Sequence, residues 1–332
     1  MRYLGRLSTS DPLHAYLQGS IFPQITHIHG HAEFRVFQFP ASNEVYLYEE
    51  AKTHQRVIGK FYSQQGKDPA LLWPRAENEF HHLEYIRSIG FTGSPHAVPR
   101  ALGCNQGINN ILVETFSPGR SLSAVIEQSI RDHQPDMLFA KLTALAYFLA
   151  KMHNLTARRE RVNFAGHEAY FAKIIARLLR RSRISAAQAR TFHHDYEGWR
   201  QEGAMWSDCA VMVHGDATPS NLLFGTGLAV TAIDLERMHP ADRAYDLGMV
   251  AGELQHFFLR HTHRKDLAEP FIGHFLWEYA CHFPDRHAAF AAITQRIPFY
   301  MGLTLLRIAR NSWLDWHYSQ ALVHEAHKTL RR

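Results

Sequence analysis

The sequence predicts an α+β chain: a small antiparallel β-rich lobe over residues 1–116 and a larger, mainly helical lobe over residues 117–332. Three observations carry this. Short alternating apolar runs separated by turn residues fill residues 34–62, and apolar stripes of helical period fill most of the chain after Ser121. Between Val211 and Glu236 that helical pattern breaks into two short apolar segments around an acidic loop. Strand side chains repeat every two residues and helix side chains every 3.6, so each switch of period marks a change of element.

Residues 1–30 show weak periodicity and read as a peripheral arm. Phe34 to Phe39 alternates, Pro40-Ala41-Ser42-Asn43 makes a turn, and Glu44 to Glu50 and Arg56 to Tyr62 follow as strands around a polar turn. Their aromatic and β-branched content supports an antiparallel meander. Lys60 stands inside the apolar run VIGKFY, where a lysine needs a reason to be kept, unless it faces outward from an edge. A helix is predicted over Pro74 to Ile89, with the proline in its first turn, Leu83 and Ile86 in phase and Gly90 as a stop. It carries Glu77, Glu79 and Glu84. Val98 to Leu102 and Asn110 to Phe116 are two further strands, the second closed by Pro118-Gly119.

Beyond Ser121, Leu122 to Ile130 and Leu138 to His153 carry helical stripes. Residues 157–190 are rich in arginine, read as the solvated face of a long helix or as a patch for an anionic partner. Asp242 is placed to cap a helix running toward His261. The tail over residues 266–331 is helical and aromatic. There Asn311, Trp313 and Asp315 would line a pocket or simply belong to the core.

The composition narrows the function classes. With 332 residues, 46% hydrophobic and 20% charged, the chain reads as an ordinary globular protein of one or two lobes. A net charge of +5 is modest for a nucleic-acid binder. Cys104, Cys209 and Cys281 are far apart, which points to a reducing compartment and away from disulfides or zinc. The first residues lack an apolar signal core, and the greasiest segments are interrupted by Lys141, Lys151 and Arg307, so the expectation is a cytoplasmic protein without a membrane partner. The 24 histidines are scattered; His27, His29 and His31 would share one face if extended, more simply as a polar strand face than as a metal site.

The chemistry gathers in VMVHGDATPSNLLFGTGLAVTAIDLE, residues 211–236. An apolar run delivers His214-Gly215-Asp216 into a loop, Asn221 follows five residues later, and a second strand ends in Asp234. Two carboxylates and a carboxamide are hard oxygen donors, a set suited to Mg²⁺, which takes few protein ligands and shares substrate phosphates. His214-Gly215-Asp216-x4-Asn221 followed by Ile233-Asp234-x-Glu236 resembles the catalytic core of the aminoglycoside phosphotransferase / choline kinase family. The resemblance is specific over residues 214–236 and covers, in layout, Ser42 to Asp246.

That resemblance implies a protein-kinase-like bilobal fold and a small-molecule kinase that binds ATP between its lobes. Asp216 would be the base facing the acceptor hydroxyl, and Asn221 and Asp234 the Mg²⁺ ligands. Lys60 would reach the phosphates, held by a helix carboxylate; the family spacing to Leu83 and Ile86 selects Glu79, with Glu77 as second candidate. Ser42 and Asn43 would sit in the nucleotide-covering loop, without a GxGxxG. Glu114, Thr115 and Phe116 would pass the adenine edge, chiefly by their backbone. Asp246 would brace the catalytic loop, and Glu236 is either an outer metal carboxylate or an exposed residue. The acceptor would be a sugar, amino sugar, amino alcohol or similar molecule. Two other readings are a Ser/Thr protein kinase, opposed by the eleven residues separating Asp234 from Asp246, and a nucleotide-binding pseudokinase scaffold, opposed by the complete polar set.

Overall fold

Six antiparallel strands build the first part of the chain, in a computed structural model that describes residues 1–39, 44–63 and 68–331. The chain divides into two compact units, Met1–Gly119 with Thr231–Glu236, and Arg120–Val230 with Arg237–Arg332. Ser42 and Asn43, expected over the nucleotide, lie outside the described residues.

In the first unit, β1 (Arg2–Arg6) is followed by the short helix α1 (Pro12–Tyr16) and then by β2 (Phe34–Gln38), β3 (Glu44–Glu50) and β4 (Arg56–Phe61). Helix α2 (Trp73–Ser88) comes next, then the small hairpin β5 (Thr92–Gly93) and β6 (His96–Ala97), and finally β7 (Ala101–Asn105) and β8 (Ile111–Thr115). The sheet order is β1-β2-β3-β4-β8-β7. Residues 1–30 are not a peripheral arm. β1 pairs with β2, Asp11 caps α1 by accepting from the Leu13 N–H, and Leu13, Leu17, Ile21 and Phe22 are buried against Phe34, Val57 and Val113. Their apolar residues serve a strand, a helix and tight turns in succession, so no single period emerges. The strand expected from Val98 pairs only from Ala101, because Pro99 has no N–H to give a ladder. His27, His29 and His31 are exposed in a loop before β2 rather than on a strand face.

The second unit opens with β9 (Arg120–Ser121), helix α3 (Leu122–Arg131), capped by the Ser121 hydroxyl, and α4 (Pro135–Leu155). The arginine-rich stretch forms two helices, α5 (Glu168–Arg180) and α6 (Ala186–Arg200), because Ser185 and Gln188 start a new helix with a capping box. Between them Arg181 and Arg183 donate to the carbonyls of Arg310 and Leu314, so part of that charge is structural. β10 (Val211–Val213), β11 (Leu222–Phe224) and β13 (His239–Ala241) follow, β10 pairing with β13 and β11 with β9, while β12 (Val230–Ala232) leads from Val230 into the segment that belongs to the first unit. Helices α7 (Ala244–Thr262), α8 (Glu269–Ala280), α9 (Arg286–Thr294), α10 (Ile297–Ala309) and α11 (Trp316–Leu330) complete the unit. α7 and α10 press together where Gly248 and Gly252 face Tyr300 and Thr304; a Cβ on either glycine would collide there. Among the described residues, no helix is long and apolar enough to cross a membrane.

This close packing depresses histidine basicity. Burial drives His167, stacked on Tyr245 and edge-on to Tyr300, down to about 4, and it does the same to His256. A folded-state pKa below the unfolded value of about 6.5 means that the unfolded chain binds the extra proton first, so stability falls as pH drops from about 6.5 toward 4. The shape-conserving change His167→Phe should therefore remove on the order of 2–3 kcal/mol of that loss. Denaturant unfolding of parent and variant at pH 7 and pH 4.5 measures it; parallel pH profiles would show that His167 titrates normally.

Candidate active site

Each unit carries its own polar cluster. In the first, Lys60 lies on β4 opposite Leu112 of β8, which brings Glu114 to the diagonal position on the same face. Lys60 Nζ is 2.7 Å from Glu79 Oε1 and 3.1 Å from Glu114 Oε1, and all three side chains are buried. Glu79 reaches the lysine because it occupies the inward stripe of α2, with Ala76, Leu83 and Ile86. It also accepts from the Tyr62 hydroxyl and, at 3.2 Å, from the Leu235 N–H. That last bond ties the residue after Asp234 to the lysine pair, while His82 Nδ1 holds the Leu235 carbonyl at 2.9 Å and Arg75 holds Glu236 at 2.7 Å. Asp234 takes a left-handed backbone, φ +65°, uncommon outside glycine and characteristic of functional turns.

Burial alone would pull the Lys60 pKa down, but Glu114, Glu79 and Asp234 outweigh it and push it up, so the ammonium stays charged. Burial drives Glu114 the other way, up to about 7 despite Lys60, and its Oε2 has no hydrogen-bond partner among the described residues. Three carboxylates around one lysine leave an excess of negative charge, which together with burial favours the protonated form of Glu114.

In the second unit the loop after β10 is built around Asp246. This fully buried carboxylate accepts from the His214 N–H at 2.6 Å and the Gly215 N–H at 3.1 Å, and pairs with His153 Nε2 at 3.1 Å. Burial opposes its ionisation, yet the His153 contact and the loop N–H groups lower its pKa overall. Gly215 has φ +76° and lies so close to the Arg237 carbonyl that a Cβ has no room. Asp216 emerges half-buried, its carbonyl accepting from Asn221 Nδ2 at 3.0 Å and from the Thr218 N–H at 2.7 Å. Its carboxylate meets Arg307 Nη1 at 3.3 Å and Arg237 Nη1 at 3.8 Å, and Arg307 Nη2 continues to Glu253 at 2.6 Å.

Lys60, Glu79, Glu114 and Asp234 thus form one electrostatic cluster, and Asp216 with Asn221 another. Phe116 lies half-buried after β8, with the Arg56 guanidinium over its ring. Trp313 is exposed and Asp315 caps α11. Sequence reasoning missed the pairing of Glu114 with Lys60 and overlooked Arg237 and Arg307. Arg307 had a signal, a charge inside the apolar helix sequence YMGLTLLRIA, the same argument that singled out Lys60.

Among the described residues no three His, Cys, Asp or Glu side chains group to hold a metal. Each unit carries a hard oxygen donor of the kind Mg²⁺ takes: in the second, Asn221 Nδ2 is engaged inside its loop and its Oδ1 accepts from the Ser220 hydroxyl at 3.4 Å, and in the first, Asp234 has a carboxylate.

A family model described as the phosphotransferase enzyme family matches residues 33–284. Among solved structures, ADP-bound aminoglycoside phosphotransferase APH(2'')-Ib is similar with a TM-score of 0.59 at 12% identity, covering 98% of this chain and 97% of that one. Choline kinase from Cryptosporidium parvum Iowa II gives 0.60 at 11% identity, covering 96% and 92%. Plasmodium vivax ethanolamine kinase gives 0.58 at 12%, covering 90% and 80%. At these identities the likeness establishes the protein-kinase-like fold. Comparison with curated proteins gives no significant match.

Proposed function

The chain belongs to the phosphotransferase enzyme family, and from that premise we propose that it transfers the γ-phosphoryl group of ATP to a hydroxyl of a small molecule. The observation that most supports this reading is the buried Lys60 clamped by Glu79 at 2.7 Å. Burying an ammonium costs several kcal/mol, and a purely structural position would be filled more cheaply by an apolar side chain. A fixed cation beside phosphates is what phosphoryl transfer uses.

In this reading Lys60 holds the phosphates and Glu79 holds Lys60. The backbone from Glu114 to Phe116 passes the adenine edge, while the Glu114 side chain belongs to the lysine cluster. Asn221 and Asp234 are the residues that would hold Mg²⁺, which when bound would neutralise charge developing on the phosphates. Asp216 orients the acceptor hydroxyl. An oxygen lone pair of that hydroxyl forms the new bond to the γ-phosphorus, the bond to the β,γ-bridging oxygen breaks with its electrons left on ADP, and the hydroxyl proton passes to the Asp216 carboxylate. Arg307 and Arg237 hold that carboxylate oriented until acceptor arrives.

ADP release from MgATP with pooled small-molecule alcohols tests the reading. A pool should stimulate release, and Asp216→Asn should reduce the stimulation by about 10²-fold, the usual contribution of a positioned base. If MgATP binds but Asp216→Asn releases ADP as fast as the parent, Asp216 is not the base. If MgATP does not bind, the assignment of the Lys60 cluster to a nucleotide fails.

A further inference from the structure

We propose that the acceptor is an anionic alcohol, a hydroxylated small molecule carrying a carboxylate or phosphate that the arginines around Asp216 bind; this rests on the reading of Asp216 as the base. The charge count in the second unit carries the inference. Arg307 and Arg237 both engage Asp216, at 3.3 and 3.8 Å. Arg310 follows one turn after Arg307 at the end of α10 and lies over the Tyr170 ring at 5.8 Å. Arg177, on α5, belongs to the same group: Arg310's pKa is lowered by burial first and then by the positive field of Arg307, Arg177 and Arg237.

The guanidinium groups of Arg307 and Arg237 share Asp216, Arg310 follows Arg307 on the same helix, and Arg177 adds its positive field at Arg310. Within the unit, Asp216 pairs with both Arg307 and Arg237, and Glu253 pairs with Arg307. Among the described residues, Arg177 and Arg310 pair with no carboxylate. An Arg fork left without a carboxylate is matched in charge and geometry to an incoming oxyanion.

A second observation points the same way. Arg307 lines a recess of about 10 Å³ with Tyr170, Tyr245 and Tyr300, and its buried Nε has no hydrogen-bond partner among the described residues. A buried donor without an acceptor is costly. The recess holds about one water, so the acceptor itself would sit outside it, against the half-buried Asp216 and Arg310. A cationic acceptor such as an amino sugar would meet like charge on these groups, which costs affinity instead of adding to it.

The test compares ADP release from MgATP with four acceptor pools: hydroxy acids, phosphorylated alcohols, neutral polyols and amino alcohols. MgATP binding is measured separately by calorimetry. The expected result is that a hydroxy-acid or phosphorylated-alcohol pool stimulates most, and whichever does so identifies the oxyanion. For the best acceptor, Arg310→Gln should raise KM by about tenfold, as loss of one charged contact does. It should leave the KM of a neutral polyol within about twofold, a split that a merely structural arginine would not produce. Arg177→Gln provides the same reading on a residue exposed on α5, should Arg310→Gln fold poorly. If neutral polyols or amino alcohols stimulate most, or if MgATP binds and neither anionic pool acts, the inference is overturned while the kinase reading stands on its own measurement. If MgATP does not bind, both fall.

Discussion

Replacing Glu79 with alanine is expected to destabilise the first unit by about 3–5 kcal/mol, the cost of removing one partner from a buried charge pair. Three groups lose their acceptor at once: Lys60 Nζ, the Tyr62 hydroxyl and the Leu235 N–H. Lys60 would be left with the field of Asp234 and with Glu114, a carboxyl that burial has already pushed up to about 7 and which ionises reluctantly. Glu79→Gln should cost less, because an amide oxygen still accepts from Tyr62 or Leu235. Denaturant unfolding of the two variants beside the parent measures the difference, and MgATP titration reads the function. The Leu235 bond ties Asp234 to the same carboxylate, so nucleotide affinity should fall together with stability. A Glu79→Ala protein within 1 kcal/mol of the parent would mean that the pair is solvated and that its burial carries no functional argument.

The second large effect is expected at Asp246. Alanine there strands the His214 and Gly215 N–H groups and deprives His153 Nε2 of its partner, all inside a fully buried site. Each unsatisfied buried donor costs about 1–3 kcal/mol, so the loss should reach about 3–5 kcal/mol. It falls on the turn that presents Asp216. Misplacing a catalytic group by an ångström costs on the order of 10²-fold in rate, so turnover should collapse beyond what lost folding explains. Comparing turnover per folded molecule with the unfolding midpoint separates the two. Unchanged turnover in a destabilised Asp246→Ala protein would remove the bracing role and leave a purely structural carboxylate.

The two sites were not equally legible in the chain. The acidic loop was readable because its geometry is local: an apolar strand, a glycine that alone tolerates φ +76°, and an asparagine five residues on whose amide closes back onto the Asp216 carbonyl. Lys60 and Glu79 were readable for a different reason, as charges standing in apolar phase, one in a strand and one in the helix stripe of Ala76, Leu83 and Ile86. The N-terminal residues misled because strand, helix and turns follow within thirty positions and average out every period. The arginine-rich stretch misled because composition cannot distinguish a solvated guanidinium from one that, like Arg181 or Arg183, is spent on a carbonyl 129 or 131 residues away.

By itself, then, the sequence determined the element types, the loop that carries Asp216 and Asn221, and the residue classes suited to phosphates and a divalent cation. All of these depend on backbone propensity and on spacing within a few residues. Tertiary structure alone decided which carboxylates answer Lys60, that Asp246 and His153 underlie the loop, and that Arg307 and Arg237 meet at Asp216. Those are meetings between residues far apart in the chain, made by strand register and helix packing, and their charges acquire meaning only when burial raises the strength of each pair.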